Sequence, residues 1–130
     1  MLALIALLTT GALTPPSDGE SKKVYAAIWS DLQLNGMIGN GNWLASLWSN
    51  AGDIGHIRDL VCTRTVTTYG CTFSLKRDGG AVKVFNEDAP QTLLCEANFI
   101  DNGEQGLAVE HLPPLPTGGH SRTTMKCKRP

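Results

Sequence analysis

Two of the three histidines stand beside carboxylates: His56 has Asp53 and Asp59 within three positions on either side, and His111 follows Glu110 directly. An imidazole hydrogen-bonded to a carboxylate is the working pair of general acid–base chemistry, because the ring changes charge near neutrality while the carboxylate orients it. His56, Asp53, His111 and Glu110 are therefore the candidate catalytic set of a small hydrolase or isomerase. Against that set, neighbouring residues on a strand point to opposite faces, and neither G-x-S-x-G nor H-E-x-x-H occurs. A metal site built from His111 and His120 would need the proline-rich segment between them to fold back, so the sequence predicts no metal site, and no cofactor.

Four cysteines, Cys62, Cys71, Cys95 and Cys127, form the second constellation. No two lie closer than the nine positions from Cys62 to Cys71, whereas zinc knuckles and thioredoxin-like thiol pairs need much shorter spacings. An even number in a small chain predicts disulfides, in three possible connectivities. If "LVCTRT" and "YGCTFS" pair as a hairpin, Cys62 comes to lie nearly opposite Cys71, within reach of a bridge, which leaves Cys95 for Cys127. The intervening Thr65, Val66, Thr67 and Thr68 include neither Gly nor Asn, so a tight turn is weakly encoded and a Cys71 bridge to Cys95 or Cys127 stays open.

Trp29, Trp43 and Trp48 fall in a stretch rich in Gly and Asn, a composition that can present aromatic platforms flanked by amides to a sugar or a peptide partner. Trp43, Trp48 and Asn42 are the candidate binding residues, and Trp29 is expected in the core. "SLKRDGG" places Lys76 and Arg77 before two glycines, the reverse of the order a phosphate-binding P-loop requires, and reads as a solvated hairpin tip.

Those residues need elements to hold them. Ser17 stands three positions before Glu20, a capping-box spacing, after Pro15 and Pro16. Val24, Tyr25, Ile28, Trp29 and Leu32 then recur at helical spacing, with Lys22, Lys23, Ser30, Asp31 and Gln33 opposite, which predicts an amphipathic helix ending at Asn35 and Gly36. A short helix is expected from Trp43 to Ser49, with Asn42 as its cap. From Ile57 the period falls to 2. Tyr69, Cys71, Phe73 and Leu75 share one strand face, "AVKVFN" follows the Asp78 to Gly80 turn as a hairpin partner, and "TLLCEANFI", "LAVEHL" and "HSRTTMKCKR" complete the set, the last as an edge strand. The expected fold class is α+β, with the N-terminal helix and one short helix packed on a meander-like antiparallel sheet of about five strands.

Length and charge bound the rest. The 130 residues suit a single domain, and eleven basic against twelve acidic side chains leave a net charge of -1, so no overall positive field exists to hold nucleic acid. "MLALIALLTTGA", residues 1–12, reads as a signal peptide with Thr10 and Ala12 at small positions, although no basic residue precedes its apolar run. Residues 13–130 then form one disulfide-stabilised domain with no membrane span after leader removal. The function expected is a small exported module, periplasmic or secreted, that binds a protein or other envelope ligand; a hydrolase or isomerase, or a structural part of an envelope assembly, are the alternatives.

Overall fold

The computed structural model describes residues 16–38, 42–119 and 121–130. The expected leader, residues 1–12, and His120 lie outside the described residues. Helix α1, Asp18–Ile38, begins where the capping spacing places it. The Glu20 amide donates to Ser17 Oγ at 3.3 Å, but the Glu20 carboxylate takes a bond from Arg64 Nη2 at 2.9 Å, so half of the capping box is realised and the other half is spent on the sheet. The helix runs past Asn35 and Gly36, because a glycine costs a helix interior only about 1 kcal/mol. Helix α2 is Trp43–Ser49. Asn42 precedes it without a side-chain capping bond; the residue is buried, and its Nδ2 reaches Cys127 Sγ at 3.8 Å instead.

Strands β1 (Gly55–Arg64), β2 (Tyr69–Arg77), β3 (Lys83–Val84), β4 (Glu87–Asp88), β5 (Thr92–Asp101), β6 (Leu107–Val109), β7 (His111–Leu112), β8 (Arg122–Thr123) and β9 (Lys126–Lys128) follow. Among the described residues the principal sheet has five strands in the order β1-β2-β5, with β6 and β9 lying end to end along the far edge of β5. All its pairings are antiparallel. The fold is α+β: α1 supplies Val24, Ala27, Ile28 and Leu32 to a core completed by Trp48, Phe73, Leu75, Leu93, Phe99 and Met125. No helix among the described residues is long and apolar enough to cross a membrane.

Three local expectations are corrected. Residues 81–86 do not pair with β2; Lys83 and Val84 pair with Glu87 and Asp88 as the β3-β4 hairpin, and β2 pairs with β5 through the partners Gly70 to Lys76. The stronger competitor wins because β5 brings four residues in alternation, Leu93, Cys95, Ala97 and Phe99, all buried, where one face of 81–86 offers only Val82 and Val84. The segments "LAVEHL" and "HSRTTMKCKR" each break in two, which lets β7 and β8 form a separate hairpin beside the main sheet. Trp29 sits on the rim of the helical stripe, 37% exposed, instead of in the core.

Both disulfides join residues that face one another in the register: Cys62 to Cys71 across β1 and β2, and Cys95 to Cys127 across β5 and β9. The weakly encoded hairpin between β1 and β2 is closed by threonine hydroxyls. Thr65 Oγ1 accepts from the Thr68 amide at 3.0 Å and lies 2.7 Å from Thr68 Oγ1, while the Thr65 amide donates to the Thr68 carbonyl at 2.9 Å. These side chains supply the local bonds that a Gly or Asn turn would make unnecessary.

At the strand pair that flanks this turn, the Tyr69 ring lies under the Arg64 guanidinium, 4.1 Å from the ring centroid, and its hydroxyl is buried with no hydrogen-bond partner among the described residues. Burial pushes the phenol above its usual 10.0, and the Glu20 carboxylate pushes the same way. The folded chain therefore holds this proton more tightly than the unfolded one. The stability contributed is complete below pH 10.0 and is lost as pH rises through the folded value. Tyr69→Phe should match or exceed the parent in urea unfolding at neutral pH, and should lose less stability above pH 10.0. Parallel stability curves for the two proteins across that range would refute the assignment.

Candidate functional site

The loop after α2 and the start of β1 bring together side chains from four elements. Trp29 of α1 and Trp48 of α2 stack with ring centroids 5.9 Å apart and planes inclined at 28°. Gly55, at the first position of β1, makes the approach possible: a Cβ there would lie 2.4 Å from Cη2 of Trp48 and 3.2 Å from Cη2 of Trp29. The rings wall a cleft of about 520 Å³ whose polar lining comes from Gln33, Ser49, Asn50, Asp53 and Arg77. Trp48 is buried, and its Nε1–H has no hydrogen-bond partner among the described residues. The cleft thus combines an apolar wall, two carboxamides and a carboxylate.

Arg77 gives that cleft its rigidity. Its side chain is 1% exposed. Nε donates to the Pro90 carbonyl at 3.0 Å, Nη1 to Asp53 Oδ2 and to the Gly80 carbonyl, both at 2.8 Å, and Nη2 to the Ala89 carbonyl at 3.0 Å. One guanidinium therefore fixes the Asp53 carboxylate and both ends of the excursion from β2 to β5. Gly79 is needed for the same reason, since a Cβ there would fall 2.1 Å from Asp53 Oδ2. The sequence placed Arg77 at a solvated hairpin tip; the structure places it in the interior, because it continues the buried alternation of Tyr69, Cys71, Phe73 and Leu75.

The three predicted binding residues are not brought together. Trp48 joins Trp29 in the cleft, whereas Trp43, 51% exposed, stacks on Phe85 at 5.7 Å and donates from Nε1 to Glu87 Oε2 at 2.7 Å. Phe85 has φ 52 and the next residue, Asn86, φ 64. Asn tolerates that region and a bulky aromatic does so at a cost, so the β3-β4 turn holds its exposed ring over Trp43 under backbone strain. Asn42 serves the Cys95–Cys127 end of the core and contributes nothing to the cleft lining.

The histidine–carboxylate pairs form, but with other partners. His56 Nε2 lies 2.9 Å from Asp78 Oδ1 at the surface, and Asp53 belongs to Arg77. Asp59, at the bulge of β1 with φ 58, is not its partner. His111 turns away from Glu110, whose backbone joins Asn98 and Thr124, and places Nε2 2.5 Å from Asp31 Oδ1 and Nδ1 3.0 Å from Ser121 Oγ. Asp31 Oδ2 accepts from Thr123 Oγ1 at 2.6 Å, and Thr123 Oγ1 accepts from the Met125 amide at 3.0 Å. Residue type assigns Asp31 to the polar face of α1, yet it lies seven positions after Val24 and three after Ile28, inside the buried stripe, and is itself buried. A carboxylate in phase with an apolar stripe was the signal for this network.

Two further depressions, of about 470 and 480 Å³, are formed on the sheet and share Thr72, Glu96 and Lys126 in their linings. All three side chains are exposed, and neither depression is walled by an aromatic pair or rests on a buried charge. The cleft at Trp29 and Trp48 is the better-built site. No three His, Cys, Asp or Glu side chains cluster to hold a metal ion among the described residues. No protein-family model matches the chain, and no curated protein and no solved structure matches it.

Proposed function

We propose that this chain is a small exported binding module whose cleft between α1, α2 and β1 takes a saccharide ligand. One observation carries the reading: stacked Trp29 and Trp48 wall a cleft of about 520 Å³, within the size range of ligand sites, with Asp53 held at its edge by buried Arg77. An indole offers a broad apolar face for the C–H side of a sugar ring, while the Gln33 and Asn50 amides and the Asp53 carboxylate can exchange hydrogen bonds with its hydroxyls. Because Arg77 already holds the carboxylate in place, little side-chain freedom remains to be lost when a ligand arrives. Support for export comes from two disulfides, which persist in oxidising compartments, and from the apolar run of residues 1–12.

The test is calorimetric and fluorimetric titration of the oxidised protein with soluble N-acetylhexosamine and hexose oligomers. At least one series should bind and shift tryptophan emission. Trp29→Ala should weaken that binding about tenfold or more, the effect of losing a central aromatic anchor, while Trp43→Ala leaves it unchanged. If no oligomer binds, or if Trp29→Ala binds as the parent does, the saccharide reading fails. A natively expressed protein recovered at full length with alkylatable thiols would remove the export half of the proposal.

A further inference from the structure

A second group of side chains lies apart from the cleft, where α1 meets the β7-β8 hairpin. One assignment of donors and acceptors satisfies all of its hydrogen bonds. The Met125 amide donates to Thr123 Oγ1, so the hydroxyl hydrogen of Thr123 is left to point at Asp31 Oδ2. A carboxylate oxygen accepts, so the tautomer that fits the short contact with its other oxygen carries the hydrogen on His111 Nε2. In the neutral ring the remaining nitrogen, Nδ1, is then unprotonated, and its lone pair faces Ser121 Oγ at 3.0 Å. The chain of groups also runs from inside to outside: Asp31 is 5% exposed, His111 19%, and Ser121 is half-buried on the segment that follows the exposed Gly118 and Gly119.

We propose that Ser121 is a nucleophile for acyl transfer, with His111 as its general base and Asp31 as the carboxylate that orients the base. A serine hydroxyl is a weak nucleophile alone and becomes an effective one when a base tautomer is held against it and that base is fixed by a third group. All three conditions are met here by side chains from α1, β7 and the approach to β8, and Thr123 adds a clamp on the second carboxylate oxygen. Ser121 Oγ attacks the carbonyl carbon of an ester, and its proton passes to His111 Nδ1 as the Oγ–C bond forms. The ester C–O bond then breaks, and the leaving alcohol takes the proton from the imidazolium. Water attacks the acyl-Ser121 ester, gives a proton to Nδ1, and the acid departs as Ser121 Oγ recovers its hydrogen. The substrate class is a small, unhindered ester, because Ser121 is half-buried and none of the three clefts described above encloses it. None of these residues lines the tryptophan cleft, so the activity stands independently of saccharide binding.

The decisive experiment treats the oxidised protein with diisopropyl fluorophosphate, in which Oγ–P bond formation expels fluoride, and locates the adduct by intact mass and peptide mapping. Hydrolysis of p-nitrophenyl acetate is followed in parallel. The expected result is one adduct, on Ser121, formed by the folded chain and not by the same chain in denaturing urea. Ser121→Ala should abolish both adduct and hydrolysis while unfolding at the parent's urea concentration, and His111→Gln should slow both by about 10²- to 10⁴-fold. An unmodified protein, an adduct confined to another residue, or labelling of Ser121 at the same rate in urea would each overturn the proposal. These outcomes come from the parent protein, so they hold even if His111→Gln fails to fold.

Discussion

Arg77→Ala is expected to destabilise the domain by about 3 to 5 kcal/mol, the usual cost of breaking a buried charge pair by removing one partner. The guanidinium is 1% exposed and satisfies Asp53 together with the carbonyls of Gly80, Ala89 and Pro90. Removing it leaves three carbonyls and a carboxylate without their donor, and empties the volume the side chain fills. Arg77→Lys should retain the charge and still lose most of the stability, because one ammonium cannot span acceptors arranged around a planar fork. Asp53→Asn should cost less than either, since Asp53 is 33% exposed and the guanidinium keeps its three backbone partners. Urea unfolding of the three variants under oxidising conditions gives the ranking directly. If Asp53→Asn proved as damaging as Arg77→Ala, the ion pair and not the backbone clamp would dominate, and the account of Arg77 as the organiser of residues 78–91 would be wrong.

That ranking bears on the cleft as well as on the fold. Asp53, Trp48 and Gly55 all line the cleft, and Arg77 is the only described side chain bonded to both Asp53 and the far end of the β2-to-β5 excursion. Loosening it should release the carboxylate before it releases the core. The site is thus a by-product of how the sheet buries a cation: the fold must satisfy Arg77, and doing so fixes a carboxylate beside two indoles.

What could be read from the sequence was whatever depends on local period or on register. Helix α2 could be placed to the residue because Trp43, Leu44, Leu47 and Trp48 repeat at i,i+4 between glycine- and asparagine-rich flanks. The Cys62–Cys71 bridge followed from assuming one hairpin, and Cys95–Cys127 from what remained. Polar residues in apolar phase are where residue type and period disagree. Residue type assigns Asp31 on the stripe of α1 and Arg77 on the inner face of β2 to solvent, whereas their period puts both inside, where they are buried. Their partners explain why type misled: Thr123, the donor to Asp31, is 92 positions away, and Pro90, an acceptor for Arg77, is 13 positions away across an excursion whose pairing was itself misassigned. A buried charge is tolerated only where tertiary partners meet it, and no local window contains them. The same holds for His111, whose neighbour Glu110 was the sequence candidate and whose partner is 80 positions away.

Removing the Cys95–Cys127 bridge should destabilise the domain more than removing Cys62–Cys71. By chain entropy a closed loop of about 33 residues contributes at most about 3.7 kcal/mol and one of about 10 residues at most about 2.7 kcal/mol. The local structure argues in the same direction. Cys62 and Cys71 lie inside the long β1-β2 pairing, which its backbone bonds and the threonine-closed turn can hold without them. Strand β9 meets β5 through only Leu94, Cys95 and Glu96, and Asn42 packs on the Cys127 sulfur, so this bridge also joins α2 to the sheet edge. The Cys95→Ala, Cys127→Ala double variant should therefore lose hydrogen-exchange protection first at Lys126 and Lys128. The Thr123–Asp31 bond should keep β8 docked on α1 meanwhile. The Cys62→Ala, Cys71→Ala variant should keep protection throughout β1 and β2 and show the smaller fall in urea midpoint. A larger fall for the short-loop pair would mean that the bridges act mainly through packing in the native core, where Cys62 and Cys71 are both buried and Cys127 only half-buried, and not through the unfolded chain.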